Sequence, residues 1–307
     1  MGTPDFAVPS LEMLINEGYK VVAVVTQPDK PKGRGNKMAA PPVKEIALKH
    51  GVEVLQPSKV KTAEFIEQIR ELSPDLLITA AYGKILSKEL LEVPKYGCIN
   101  VHGSLLPAYR GAAPINWVVI NGEKKTGITT MFTDVGIDTG DMLLKKELDI
   151  GPDMTVGELH DKIAVLGAEV LKDTLIELKK GTLKRIPQED SQSSYAPMIS
   201  KELGLIDWSK KALEIHNLVR GTDPWPGAYT FLEGNRMRVW KTMLVEEKTD
   251  NNQENGLILS VDDEGVLVKC SEGCILIKEL QFDSSKRMAV KDYIRGHHIK
   301  TGEKLGK

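Results

Sequence analysis

The sequence predicts an α/β protein with two domains: a Rossmann-like N-terminal domain with a mostly parallel sheet, then a small OB-like β-barrel. In the first half, β-branched runs alternate with amphipathic helical stretches, which is typical of a parallel sheet covered by helices. A polar stretch rich in Ser, Gln and Pro follows, and after it come one helix and five short strand-like runs. We therefore expect a first domain over 1–181, a linker over 182–203 and a second domain over 204–307.

The individual helices and strands are predicted from the period of the hydrophobic residues and from the residues that typically begin or end a helix. Thr155 and Glu158 form a capping-box pattern at the start of a long helical stripe. In the first domain, helical patterns cover 43–50, 64–72 and 155–178, and strand patterns cover 21–26, 52–55, 75–83, 97–104, 126–134 and 141–150. In the second domain, a helix is expected at 209–221 and strands at 228–232, 236–245, 256–261, 265–270 and 274–280.

Composition excludes several classes of protein. A formal net charge of -2 and a pI near 6.3 provide no global attraction to nucleic acid or to an anionic membrane. Three cysteines are too few for a disulfide framework and fit a reducing compartment. The N-terminus has no signal-peptide pattern, and no apolar run reaches the roughly 18 residues of a membrane span. The expected location is the cytoplasm.

The chemistry is expected where a strand ends in the stretch INVHGSLLPAYRGAAP. In an open α/β sheet, ligands bind beyond the carboxyl ends of the strands. Asn100 and His102 alternate with apolar residues, so their side chains leave the same face of the strand. The following loop could hold a flat heteroaromatic ligand with its backbone groups. Further along, DVGIDTGDML places Asp134, Asp138 and Asp141 around two glycines.

An asparagine, a histidine and an aspartate around one crevice suit acyl transfer to an amine. Asn100 and a protonated His102 can stabilise an oxyanion, while Asp138 can hold His102 charged and relay the proton that leaves the amine. The other interpretation is that His102 is a satisfied strand-end histidine and that the aspartates form turns. His50, His160 and His216 lie in helical patterns and are interpreted as surface or boundary residues.

One loop is locally basic. Residues 27–44 contain five basic residues and a single acidic one, Asp29, in a Gly- and Pro-rich stretch between a strand and a helix. Mobile cationic loops suit phosphate backbones, although an ordinary solvated loop has the same composition. The chain contains neither a P-loop nor a dinucleotide fingerprint, and it has no HExxH or paired CxxC, so phosphate-loop and metal sites are not expected.

Five stretches together carry a resemblance to a known family: GTPDFAVPSL, TQPDKPKGRGNK, INVHGSLLPAYRGAAPI, DVGIDTGDML and DPWPGAYT. The core pattern NxHxSLLP with a later DTG is similar to that of the 10-formyltetrahydrofolate-dependent formyltransferases. Over its whole length, the chain resembles the methionyl-tRNA formyltransferase family. The core pattern is specific for the chemistry and less specific for the acceptor.

The resemblance implies a role for individual residues. The implied catalytic residues are Asn100, His102 and Asp138. The implied folate-binding residues are Ser104, Leu105, Leu106 and Pro107, with the pterin against Ala81, Tyr82 and Gly83. The implied tRNA-binding residues are Lys30, Lys32, Arg34 and Lys37, in a loop that enters the acceptor stem.

The implied substrates are 10-formyltetrahydrofolate and methionylated initiator tRNA. The C-terminal barrel would track the tRNA, and the protein would act as a monomer without a metal. Related alternatives are an amino-sugar nucleotide formyltransferase and a formyltetrahydrofolate hydrolase. A tRNA-binding module without activity is the alternative from another class.

The beginning of the chain departs from the family pattern. There, GTPDF follows a short hydrophobic strand that forms an interior strand of the sheet, whereas this sequence starts one residue before Gly2. We therefore expect that first strand to be missing from this chain, with an upstream start as one explanation and a true short form with an altered sheet edge as the other.

Overall fold

The computed structural model describes residues 1–32, 37–245, 253–283 and 285–306. The chain forms two units, each of which is described by itself. The first unit consists of Met1–Pro114, Lys125–Asp149 and His160–Pro197, and the second consists of Ile115–Lys124, Ile150–Leu159 and Met198–Lys307.

The helices lie close to the predicted positions. The long helix begins with the predicted capping box, in which Glu158 N–H donates to Thr155 Oγ1 over 3.2 Å and Thr155 N–H donates to Glu158 Oε2 over 2.9 Å. The α-helices are α1 (Val8–Asn16), α2 (Pro42–Lys49), α3 (Ala63–Glu71), α4 (Lys88–Leu91), α5 (Pro114–Ile120), α6 (Val156–Lys180), α7 (Ala212–Gly221) and α8 (Val290–Tyr293). Single 3₁₀ turns cover Asp5–Ala7, Asp190–Gln192 and Glu202–Gly204.

The strands are shorter than the predicted runs in the first unit and close to them in the second. The first unit contains β1 (Val24–Val25), β2 (Lys30–Lys32), β3 (Lys37–Ala39), β4 (Val54–Leu55), β5 (Leu77–Ala80), β6 (Cys98–His102), β7 (Arg110–Gly111), β8 (Lys125–Phe132), β9 (Met142–Asp149) and β10 (Tyr195–Ala196). The second unit contains β11 (Ala228–Leu232), β12 (Asn235–Val245), β13 (Ile258–Asp262), β14 (Gly265–Lys269), β15 (Cys274–Phe282) and β16 (Met288–Ala289).

The main sheet of the first unit is parallel in one part and antiparallel in the other. β1 pairs with β4 and β5 pairs with β6 in parallel, as expected for βα units. β8 runs antiparallel to β6, and β9 runs antiparallel to β8. The connection 133–141 is shorter than the dozen or so residues that a parallel crossover needs, which explains the antiparallel turn between β8 and β9.

Met1 and Gly2 lie between β1 and β5. Gly2 N–H donates to Val25 O over 3.0 Å, and Ala80 N–H donates to Met1 O over 3.0 Å. Gly2 also forms a parallel bridge with Ala80. These two residues therefore connect the β1–β4 pair to β5 by main-chain hydrogen bonds.

The core of the first unit forms because helices and strands bury one apolar face each. Phe65, Ile66 and Ile69 of α3 pack in one cluster with Val25 and Leu77 of the strands. The start of α3 is fixed by Thr62, whose side chain accepts a hydrogen bond from Phe65 N–H. The apolar faces of α3 and of these strands are thereby buried against each other.

Residues 182–197, most of the predicted linker 182–203, belong to the first unit and pair with its strands. Ile186 forms an antiparallel bridge with Met142, and β10 pairs in parallel with β7. Main-chain hydrogen bonds from Arg110 N–H to Ser194 O and from Ala112 N–H to Ala196 O extend this pairing. Hydrophobic residues do not recur regularly in this segment because its strand pairings are only one or two residues long and bury few side chains.

The second unit contains an antiparallel sheet with the helix α7 packed in its core. Its strands pair in the order β11–β12–β15–β14–β13, and β16 pairs with β15. Within the described residues, β11 and β13 do not pair with each other directly. The C-terminal residues hydrogen-bond to both of these end strands, since Ile258 N–H donates to Glu303 O and Gly306 N–H donates to Phe231 O. Ile215 and Val219 of α7 pack against Val239 and Ile275 in the core of this unit. Among the described helices, none is long and apolar enough to cross a membrane.

Candidate active site

The carboxyl ends of β5 and β6 bring two of the predicted regions together. The parallel register pairs Thr79 with Asn100 and Ala80 with Val101, so 81–83 leave the sheet beside His102. The hydroxyl of Thr79 donates a 2.8 Å hydrogen bond to Oδ1 of Asn100. Because the amide oxygen is held in this way, the amide nitrogen of Asn100 is the end that can donate to a ligand.

His102 is the last residue of β6, and its side chain is held on both sides. Nε2 lies 3.0 Å from the main-chain oxygen of Tyr109, and since a carbonyl only accepts, Nε2 carries the proton. Nδ1 lies 3.6 Å from Oδ2 of Asp138. The residue is only 5% exposed. Nδ1, which faces the carboxylate, is therefore the ring nitrogen through which His102 can act.

Asp138 is oriented by its backbone and by β7. Its φ of 54° lies in the left-handed region, which non-glycine residues rarely adopt. Oδ2 accepts a hydrogen bond of 2.8 Å from the main-chain N–H of Gly111. The same oxygen faces His102, so one carboxylate oxygen is shared between the strand and the imidazole.

The loop 104–107 is closed by hydrogen bonds within the first unit. Ser104 Oγ donates to Ala108 O over 2.7 Å, and Thr129 Oγ1 both donates to Ser104 O and accepts from Leu106 N–H. The Leu106 carbonyl accepts a hydrogen bond from Lys145, and burial lowers the pKa of this lysine. The backbone groups of Leu106 are therefore already engaged, so a bound ligand would use other groups of the loop. Leu105 and Pro107 are half-buried.

The residues after β5 form the neighbouring edge of the site. Ala81 has a φ of 45° and is exposed, and Gly83 has a φ of 74°. Tyr82 is buried, and burial raises the pKa of its phenol to about 12. Its main-chain oxygen accepts a 2.9 Å hydrogen bond from Gln27 Nε2.

Within the basic loop 27–44, β2 and β3 pair in antiparallel orientation. Lys30 Nζ donates to Gln27 Oε1 over 2.8 Å, which connects the hairpin to the Tyr82 carbonyl through Gln27. Lys37 is exposed. Arg34 and the side chain of Lys32 lie outside the described part of the chain.

The two other aspartates of the DVGIDTGDML stretch are engaged elsewhere. Asp134 accepts hydrogen bonds from Gly136 N–H and from the Thr139 hydroxyl, as a turn-forming residue does. Asp141 pairs with Arg185 Nε over 2.8 Å. Over the described ranges, the structure contains no group of three or more His, Cys, Asp or Glu side chains that could hold a metal ion.

Several residues that shape the site were missed by the sequence analysis. Thr79 and Thr129 occupy strand positions facing the site, and alternation within their strands is the signal that could have found them. Gly111 and Gln188 carry no such signal, because each acts through a contact with a distant segment. His216, expected at the surface or at a boundary, is buried. Its Nδ1 lies 2.9 Å from Thr242 Oγ1 and its Nε2 lies 3.2 Å from Pro152 O.

Family models match most of the chain. The model described as "Formyl transferase" matches residues 1–175, and the model described as "Formyl transferase, C-terminal domain" matches residues 198–298. The two matches fall on either side of the segment that contains β10.

Full-length relatives carry one common name. A protein of Ruminiclostridium cellulolyticum named methionyl-tRNA formyltransferase is 74% identical over 100% of this chain and 98% of its own length. Proteins of the same name from Acetivibrio thermocellus and Clostridioides difficile are 63% and 53% identical, again over 100% of this chain and 98% of their own length.

Solved structures share the fold at low sequence identity. An N-formyltransferase from Helicobacter canadensis, solved with folinic acid and dTDP-3-aminofucose, is 19% identical with a TM-score of 0.65 and covers 94% of this chain and 97% of its own. HypX from Aquifex aeolicus, solved with tetrahydrofolic acid, is 18% identical with a TM-score of 0.58 over 85% of this chain and 47% of its own. From the two family models and the full-length relatives, the chain belongs to the methionyl-tRNA formyltransferase family of formyl transferases.

Proposed function

We propose that this protein transfers the formyl group of 10-formyltetrahydrofolate to the α-amino group of methionine on initiator tRNA, for translation initiation. One observation carries the proposal: at the carboxyl edge of the sheet, His102 pairs with Asp138 and lies two residues after Asn100 on the same strand. The common name of relatives that are 53–74% identical over the full chain supports this acceptor.

Asn100 would stabilise negative charge on the formyl oxygen. Attack of an amine on a formyl carbon moves charge onto that oxygen, and donors placed beforehand stabilise it. Thr79 holds the amide oxygen of Asn100, so the amide N–H groups are available for this task. Loss of one such donor typically slows catalysis by about 10²–10³-fold.

His102 and Asp138 would act together in stabilising charge and transferring protons. Oδ2 of Asp138 lies 3.6 Å from Nδ1 of His102, so Nδ1 and this carboxylate are the two groups between which a proton would move. Nε2 is fixed by the Tyr109 carbonyl, which keeps the ring orientation constant during the reaction. As the amine forms its bond to the formyl carbon, the bond from that carbon to N10 of the folate breaks. The proton that the amine loses would pass by way of Asp138 to N10, so that tetrahydrofolate leaves as the neutral amine.

The folate would bind along the two loops at this edge. We assign it to Ser104, Leu105, Leu106 and Pro107 on one side and to Ala81, Tyr82 and Gly83 on the other. Ser104 and Leu106 are buried, so their part would be to hold the loop in shape for the ring. The two loops follow adjacent parallel strands, so a flat ring between them would lie next to Asn100 and His102.

The acceptor would be held by basic residues of the first domain and by the second domain. Lys30, Lys32, Arg34 and Lys37 would contact the phosphates of the tRNA acceptor stem. We assign catalysis to 1–181 and a linker to 182–203, and we assign tRNA binding to an OB-like fold over 204–307. We propose that the protein acts as a monomer in the cytoplasm and needs no metal.

An acceptor assay tests the proposal. The purified protein is supplied with 10-formyltetrahydrofolate and, separately, methionylated initiator tRNA, methionylated elongator tRNA, an amino-sugar nucleotide, or no acceptor. We expect formylation of the initiator tRNA and much less of the elongator. A formylated sugar with unmodified tRNA, or formate release at the same rate without an acceptor, would overturn the proposal.

A further inference from the structure

The side chain of Gln188 links two parts of the candidate active site. Its amide nitrogen donates hydrogen bonds of 2.8 Å to the main-chain oxygens of Asp138 and Gly140. Its amide oxygen accepts a hydrogen bond of 3.0 Å from Nε of Arg110. A glutamine amide has two N–H donors and one oxygen, so both ends of this side chain are engaged.

Arg110 decides which end of the amide faces Asp138. An arginine Nε–H can only donate, so it holds the amide oxygen of Gln188 on its own side. Both N–H groups must then face the carbonyls of Asp138 and Gly140. Arg110 is itself held, since it is 9% exposed and its Nη1 pairs with Asp190 over 2.9 Å.

The backbone that Gln188 holds is one that needs support. Asp138 has a φ of 54°, a conformation that persists in a non-glycine residue only when neighbouring contacts fix it. Gly111 N–H fixes the carboxylate of Asp138, and Gln188 fixes the main chain on both sides of Thr139. The carboxylate and its backbone are thus anchored from separate directions.

We propose that Gln188 is a positioning residue for Asp138: it holds the main chain of the aspartate loop so that the carboxylate stays beside His102. This inference rests on the catalytic role proposed above for Asp138. Gln188 lies at the end of the chain's first unit, in the segment 182–203, and acts through Asp138 without touching the reacting atoms.

Two substitutions of Gln188 separate positioning from packing. Gln188→Ala removes both donors, and we expect kcat to fall by about 10–100-fold with the KM for tRNA and folate changed less than about twofold, because small displacements of a catalytic group cost rate. Gln188→Glu keeps the volume and the Arg110 contact but turns acceptors toward two carbonyls. It should therefore be at least as slow as Gln188→Ala.

The matched control is Gln192→Ala in the same segment. Gln192 is exposed, and its amide nitrogen donates to Glu189. We expect wild-type kcat for this variant. Thermal melting of every variant shows whether the fold is intact. Wild-type kcat for Gln188→Glu would overturn the proposal, because a packing role alone is preserved by that isostere.

A double-mutant cycle shows whether Gln188 acts through Asp138. Single-turnover rates are compared for Gln188→Ala, Asp138→Ala and the double variant. If Gln188 only positions Asp138, the double variant is as slow as Asp138→Ala alone, and fully additive losses would contradict this. Wild-type activity of Asp138→Ala would instead overturn the catalytic role of Asp138. Wild-type activity of Gln188→Ala beside a slow Asp138→Ala would overturn the positioning role alone.

Discussion

The main-chain N–H of Gly111 donates a 2.8 Å hydrogen bond to Oδ2 of Asp138, a residue that lies 27 positions later in the chain. Tyr109, two residues before Gly111, holds His102, because its main-chain oxygen lies 3.0 Å from Nε2 of the histidine. One stretch of backbone therefore orients both partners of the His102–Asp138 pair. It is held in turn by its parallel pairing with β10 and by the main-chain hydrogen bond from Arg110 N–H to Ser194 O, one residue before β10.

Gly111→Ala is expected to slow catalysis and destabilise the fold. A Cβ at this position would lie 2.7 Å from Tyr195 Cε2 and 2.8 Å from Ala196 O, and the φ of 113° is strained for any other residue. Residues 109–111 must therefore shift, and the main-chain N–H of residue 111 moves away from Asp138. We expect a loss of about 1–3 kcal/mol of stability and about a 10²-fold lower kcat, measured by denaturant unfolding and steady-state kinetics.

Gly181→Ala is the control for this prediction. Gly181 also has a positive φ, 68°, but nothing lies within 4 Å of the position of an added Cβ. The variant should lose some stability and keep the wild-type kcat. If both variants lost activity equally, the contact between β7 and Asp138 would not be the cause.

Thr129→Val is expected to loosen the loop 104–107. The buried hydroxyl of Thr129 accepts from Leu106 N–H over 3.0 Å and donates to Ser104 O over 2.7 Å. Valine keeps the shape and leaves both backbone groups without this partner, which costs about 1–3 kcal/mol. We expect a lower melting temperature in calorimetry and a higher KM for 10-formyltetrahydrofolate.

Thr126→Val on the same strand is the matched control. Its hydroxyl is buried and has no hydrogen-bond partner among the described residues. Removal of an unsatisfied buried hydroxyl should leave stability unchanged or raise it. A loss in Thr126→Val as large as that in Thr129→Val would contradict the explanation.

His216 is expected to make the second unit less stable below neutral pH. Burial lowers the pKa of His216 below its ordinary value of 6.5. As pH falls through 6.5, the unfolded histidine takes up a proton that the folded one does not, so stability decreases, by at most about 1.4 kcal/mol per pH unit. At higher pH both forms are neutral and this stability is fully present.

His216→Gln should flatten this pH dependence. All four tryptophans, Trp117, Trp208, Trp225 and Trp240, lie in the second unit, so tryptophan fluorescence during urea unfolding reports on it. The free energy of unfolding is compared between pH 5.5 and 7.5. An equal decrease in wild type and variant would show that another group is responsible.

Arg34→Ala should weaken the use of tRNA and leave folate binding unchanged. If Arg34 contacts one phosphate, its loss lowers the salt dependence of tRNA affinity by about one unit of slope in a log–log plot. The KM for initiator tRNA is measured at several salt concentrations, with Lys49→Ala at an exposed basic residue of α2 as control. Equal losses in folate and tRNA use would indicate a structural role for the loop.

Local patterns in the sequence predicted most of the helices and strands and identified the candidate catalytic residues. Asn100 and His102 were found because alternation along a strand places both on one face, and Thr155 with Glu158 marked the start of α6 because capping is a contact within one turn. The antiparallel direction of β8 was not predicted, since periodicity reports which face is buried and not the direction of a neighbour.

The sequence by itself determined the α/β alternation, the strand that carries Asn100 and His102, the aspartate loop and the family. Only the tertiary structure decided which groups hold these residues: Thr79 on Asn100, Tyr109 on His102, and Gly111 with Gln188 on Asp138. The physical reason is that these hydrogen bonds join segments far apart in the chain. A hydrogen bond between a single side chain and a distant segment leaves no periodic pattern in the sequence. Only the folded structure therefore identifies the partner.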